Sequence, residues 1–152
     1  KECFVEDTLA ILKEYDFPPS QLWIEITERC RDLPISMIKK TVTAFREAGI
    51  HTTMDDYGTG SSSSQMMLEL PVEGVKIDMF FVKDILEEKK KQALVIGMIN
   101  FANAADLKIC IEGIENDNLE SYLRQFDVTC FQGYHYSRSI CQDELMKLLI
   151  KP

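Results

Sequence analysis

Apolar residues along the chain fall into two alternating patterns, one at helical spacing and one in short runs of strand length. A helix-period segment from about Val5 to Tyr15 ends before Pro18-Pro19, and the run LWIEI, Leu22 to Ile26, follows it. Ile35, Ile38, Val42 and Phe45 mark a second helix, which Gly49 closes. IHTTMD from Ile50 predicts the next strand, Ser63 to Glu69 a helix, and VKID at 75–78 another strand. Gln92 to Ala104 predicts a long helix, KICIE at 108–112 a strand, Leu119 to Phe126 a helix, TCFQ at 129–132 a strand, and Gln142 to Leu149 a final helix. Strand and helix alternate five times, which selects an α/β fold built on a parallel sheet.

The polar residues narrow that choice. Glu25, Asp55, Lys76, Glu112 and Gln132 each stand at or near the C-terminal end of a strand-like run, separated by 30, 21, 36 and 20 residues. Those intervals suit one strand-loop-helix-loop unit each. In a β/α barrel all five would converge on the rim where active sites are built. Within the strands a period of two sets Trp23 with Glu25, Thr53 with Asp55, Cys110 with Glu112 and Cys130 with Gln132, while Ile24, Ile26, Ile109 and Ile111 face the helices.

Composition sets outer limits. The 152 residues are 45% hydrophobic and 28% charged, enough for one sizeable core and one domain. Net charge is −8, and the concentrated basic run Lys89-Lys90-Lys91 sits directly behind Glu87-Glu88, so no basic face is available to track a polymeric nucleic acid. A small anionic ligand fits if metal ions offset the negative charge. The five cysteines, at 3, 30, 110, 130 and 141, show no metal-binding spacing and are odd in number. Reduced, largely buried thiols in a cytoplasmic protein are the expectation. No stretch reaches eighteen apolar residues, and the N-terminal KECFVEDTLA lacks signal-peptide features, so the chain is read as neither spanning nor exported.

Each polar position has an ordinary explanation when taken singly. Glu25 or Gln132 could be a solvated strand end, Asp55-Asp56 before Tyr57-Gly58 an Asx turn, and Lys76 a partner for one of these acids. Together they are harder to explain so. Three or more carboxylates on one rim repel one another unless cations are bound, and a metal site is the usual resolution.

The same residues resemble the EAL-domain phosphodiesterases that hydrolyse cyclic di-GMP. IEITE (24–28), DDYGTGSSS (55–63), LPVEGVKIDMFFV (70–82), IEGIE (111–115) and FQGYHYSRS (131–139) look like that family's motifs, in its order and with similar separations. The resemblance implies a (β/α)8 TIM-like barrel and a two-metal site. It implies that Glu25 and Asp55 ligate one ion and that Asp55 is shared with a second, which Asp56 and Glu112 help to hold. Lys76, with Glu112 the other catalytic candidate, would contact the attacking water or the scissile phosphate. Gln132 and Glu115 would complete the coordination and its surroundings. Glu28 would fix the loop after Asp56, which carries Gly58, Thr59 and Gly60. Hard carboxylate oxygens suit Mg²⁺ or Mn²⁺, and the implied product is linear pGpG.

A full barrel has eight strands and about 250 residues, whereas five strands are legible here. The family's Glu-Ala-Leu signature, a nearby substrate-contacting arginine and a strand-end asparagine ligand have no counterpart. Residues 1–152 therefore read as the C-terminal part of an EAL domain, an incomplete barrel of about five β/α units. Its unpaired edge strands predict a homo-oligomer or pairing with the missing N-terminal part of the domain. Ser61 to Ser64 replace the aromatic and aliphatic residues usual after DDYGTG, Ile140 stands where proline is frequent, and Ile111 where a small residue is common. Two functions follow: a phosphodiesterase whose remaining strands lie elsewhere, with the isolated chain inactive, or a non-catalytic module that senses cyclic di-GMP or binds protein.

Overall fold

The computed structural model describes residues 4–27, 30, 33–58 and 63–150. Strands β1 (Trp23–Ile26), β2 (His51–Tyr57), β3 (Gly74–Ile77), β4 (Lys108–Ile111) and β5 (Cys130–Phe131) form one sheet in that order, every neighbouring pair parallel. The connections carry α1 (Phe4–Glu14) before the sheet, then α2 (Ile35–Glu47), α3 (Ser63–Glu69), α4 (Met79–Val82), α5 (Lys89–Ala104), α6 (Asp117–Leu123) and finally α7 (Gln142–Leu149). When sequential strands are neighbours and all parallel, right-handed crossovers place every connecting helix on the same face. That is the winding of a β/α barrel rather than of a doubly wound sheet.

One device delivers the chain from helix to strand three times. After α2, Gly49 adopts φ +78° while the Ile50 amide donates to the Phe45 carbonyl at 2.9 Å and the Gly49 amide to Arg46 at 3.0 Å. This double closure satisfies the last carbonyls and turns the backbone straight into β2. Asp106 at φ +56° does the same after α5, with Leu107 bonded to Ala102, and Asp16 at φ +49° after α1, with Phe17 bonded to Leu12. Aspartate tolerates the left-handed region better than most non-glycine residues.

The strand alternation holds. Ile26, Met54, Val75, Ile77, Ile109 and Ile111 are buried on the helix-covered face, packed with Val42, Val95, Ile99 and Leu123. Each such side chain contributes roughly 1.5–3 kcal/mol of burial. A smaller cluster joins Leu12 of α1 to Phe45 and Ile50, with Phe4 edge-on to Phe45 at 5.4 Å between ring centroids. The opposite face of the sheet carries Glu25, Thr53, Lys76, Cys110 and Cys130 along one cavity wall.

Several expectations shift. Helix α5 begins at Lys89, three residues before the apolar pattern starts, because its first turn is lysine, exposed at 89 and 90 and half-buried at 91. Helix α6 begins at Asp117, where the Asn116 side chain accepts from the Leu119 amide at 3.0 Å, and it closes at Leu123. TCFQ contributes only Cys130 and Phe131 as strand. The expectation of largely buried thiols is corrected: Cys30 and Cys110 are half-buried, Cys130 and Cys141 exposed, and all four are free. Among the described residues no helix is long and apolar enough to cross a membrane.

Candidate metal centre

Lys76 stands at the middle of the strand ends. Its side chain is buried in the central strand β3, and Nζ lies 2.8 Å from Glu25 Oε1, 3.2 Å from Asp55 Oδ1 and 2.7 Å from Glu112 Oε1. One ammonium thus gathers carboxylates from β1, β2 and the end of β4. Burial alone would lower the lysine pKa, but the hydrogen bonds that Lys76 donates to Glu112 and Glu25, with the adjacent Asp55 carboxylate, outweigh it and hold the amine well above its ordinary value. The group stays a cation.

Asp55 and Asp56 reach the same side of the sheet through a break in the strand. In a regular strand successive side chains point to opposite faces, which would send Asp56 toward the helices. Between Met54 and Tyr57 the register with β3 shifts, and Asp56 takes φ +54°. This bulge re-aims one carboxylate, and oxygens of Asp55, Asp56 and Glu112 come within 4.8 Å of one another. Burial, then the negative charges of Asp55 and Asp78, raises the Asp56 carboxyl above its ordinary pKa. Asp55 Oδ1 is buried and has no hydrogen-bond partner among the described residues, so its approach to Lys76 is electrostatic only. An orphaned carboxylate oxygen beside two converging carboxylates fits a divalent cation, which would take up that lone pair and offset the repulsion.

The remaining predicted residues surround this centre. Gln132, at the end of β5, is exposed and lines the same cavity of about 360 Å³ as Glu25, Lys76 and Cys110. Glu115 shares a second cavity with Glu112, Gln132 and Tyr134. Gly58 adopts φ +95°, a conformation strained for any other residue, and a Cβ there would also displace the flexible tip of Met98 and press on Phe81. Glu28, Thr59 and Gly60 lie outside the described residues, as do Ser61 and Ser62.

Three features escaped the sequence reading. Asp78 caps α4 by accepting from the Phe80 amide at 2.7 Å and also hydrogen-bonds Asp56, linking helix start to site. Its signal was an aspartate between a strand and an apolar helical turn. Asp117, Glu120 and His135 converge beside α6, with His135 Nε2 3.1 Å from Glu120 Oε2, while Arg124 and Tyr136 occupy the other Glu120 oxygen. Local sequence gave no sign that these elements meet. Cys110 and Cys130 are direct partners across β4 and β5; burial, then the Cys130 sulfur, pushes the Cys110 thiol up to about 12.

Comparison with known proteins agrees with this arrangement. The family model described as EAL domain matches residues 1–139. A probable cyclic di-GMP phosphodiesterase of Escherichia coli, PdeB, is 35% identical over 137 residues, which is 90% of this chain and 26% of that protein. The crystal structure of the EAL domain of Mycobacterium smegmatis DcpA superposes with a TM-score of 0.92 at 30% identity, covering 98% of this chain and 67% of that one. Klebsiella pneumoniae BlrP1, solved as a manganese and cyclic di-GMP complex, superposes with a TM-score of 0.78 at 26% identity, over 86% of this chain and 33% of that one. The chain spans 20%, 18% and 19% of three other curated relatives it matches. With motifs, sheet order and strand-end chemistry in agreement, the chain belongs to the EAL domain family.

Proposed function

We propose that this chain contributes the lysine and most of the carboxylates of a two-metal phosphodiesterase site that opens cyclic di-GMP to linear pGpG. The observation that carries the reading is the convergence of Glu25, Asp55 and Glu112 on Lys76, with one oxygen of Asp55 left unbonded. Glu25, Asp55, Asp56 and Glu112 would hold the cations. Gln132 and Glu115 complete the set. Bound Mg²⁺ or Mn²⁺ supplies Lewis acidity and lowers the pKa of water for in-line attack on phosphorus.

The protein's own groups set the electrostatics. Glu25, Asp55, Asp56 and Glu112 against Lys76 leave a formal charge of −3 (four carboxylates, one ammonium), which would repel a phosphodiester until cations bind. Lys76, held as a cation, donates a proton-bearing contact to the phosphate or the incoming water and does not act as a base. Glu112, hydrogen-bonded to Lys76, orients on the same atoms. Asp78 positions Asp56. Residues 1–152 serve as the C-terminal part of one EAL domain, with the edges of β1 and β5 paired by further barrel strands or by a second copy. Free cysteines suit a reducing, cytoplasmic setting.

The complete parent protein, incubated with cyclic di-GMP and Mn²⁺ or Mg²⁺, should yield linear pGpG by chromatography and mass spectrometry, and chelation or Glu112→Gln should abolish it. Binding without opening under both metals would overturn the enzyme reading. It would favour a sensing or protein-binding module, the function to which the Ser61 to Ser64 replacement points.

A further inference from the structure

Outside the acidic centre, the strongest unassigned chemistry is a pair of thiols on the cavity wall. We propose that Cys110 and Cys130 form a dithiol modification site that closes to a reversible disulfide when met by a disulfide oxidant of the glutathione class. The two residues are register partners on β4 and β5. Partners on parallel strands project from the same face, and strands spaced about 4.8 Å apart put their Cα atoms inside the disulfide range of about 4.4–6.8 Å. Both side chains line the cavity that also holds Lys76, and both are free.

Exposure sets the order of attack. Cys130 is exposed and Cys110 lies half-buried behind it. The Cys130 thiolate attacks one sulfur of oxidised glutathione, forming a mixed disulfide and expelling one glutathione thiolate. The Cys110 thiolate then attacks the Cys130 sulfur, forming the Cys110–Cys130 bond and expelling the second glutathione thiolate. The protein pair loses two electrons and two protons, and oxidised glutathione becomes two molecules of the reduced tripeptide.

The bond would tie β4 to β5 two residues before Glu112 and two before Gln132. An effect on cation binding would rest on the metal-site reading, but formation of the bond does not.

Trypsin separates the partners cleanly, because Cys110 falls in the peptide 109–124 and Cys130 in 125–138. The folded chain is equilibrated in graded mixtures of reduced and oxidised glutathione, acid-quenched, alkylated and mapped by mass spectrometry. The expected product is peptide 109–124 linked to 125–138 with loss of two hydrogens, reversed by reduced glutathione. Cys110→Ser should stop the reaction at the mixed disulfide on Cys130, and Cys130→Ser should leave Cys110 alkylated. A chain carrying Cys3→Ser, Cys30→Ser and Cys141→Ser keeps the pair alone and should form the link undiminished. Alkylation of both cysteines at every ratio, or their appearance mainly as separate glutathione adducts in the otherwise unaltered chain, would overturn the proposal.

Discussion

Replacing Lys76 by methionine keeps the stem and removes the charge that three carboxylates share. Breaking a buried ion pair from one side typically costs about 3–5 kcal/mol, because the opposite charge is stranded. Here the stranded groups are partly hydrated: Glu25 is 48% exposed, Asp55 16% and Glu112 18%. Discounting for that solvation brings the expected loss to about 2–3 kcal/mol. In a domain of this size each kcal/mol moves Tm by roughly 2–4 °C, so Lys76→Met should melt about 4–12 °C lower in chelator. Millimolar Mn²⁺ should recover more than half of that loss, since a divalent cation takes the place of the ammonium among the same oxygens. Circular dichroism melts of both proteins, with chelator and with Mn²⁺, measure all four values. Equal melting of variant and parent in chelator, or a deficit that Mn²⁺ leaves unchanged, would refute the reasoning.

Other positions give independent checks. Gly133→Ala would drive a Cβ into the Ile114 backbone, where the Ile114 amide donates to the Gln132 carbonyl, so β5 should detach and the chain lose about 2–4 kcal/mol in urea unfolding. Asn116→Ala removes the cap of α6 and should cost about 1 kcal/mol in the same assay. The Glu120 carboxyl is held below its ordinary pKa, first by the Arg124 hydrogen bond and then by Tyr136. A lowered folded pKa contributes stability that is present above the usual carboxylate range and is lost as pH falls through the folded value. The contact of Tyr136 with α6 should therefore open in acid, visible as a change in tyrosine fluorescence that Glu120→Gln removes.

Much of the fold was legible because burial on one face of each strand imposes a period of two, and Ile109 with Ile111 or Trp23 with Glu25 wrote that period plainly. Short elements were not. The four residues of α4 are too few to display a helical period, and the two residues of β5 are too few to display a strand period. For the site, strand-end spacing was enough to bring Glu25, Asp55, Lys76 and Glu112 together. It could not place Asp56, whose carboxylate reaches the centre only through a left-handed residue in a bulge. Nor did spacing reveal the Cys110–Cys130 pairing, which depends on register between strands rather than on distance along one.

The central claim is that the carboxylates around Lys76 form a cation site. Mn²⁺ binding to the chain, followed by the loss of the free-ion electron paramagnetic resonance signal, tests it most directly. Saturable binding that Asp55→Asn abolishes and that the distant Glu120→Gln leaves intact is the predicted result. No saturable binding, or binding indifferent to Asp55→Asn, would contradict the account.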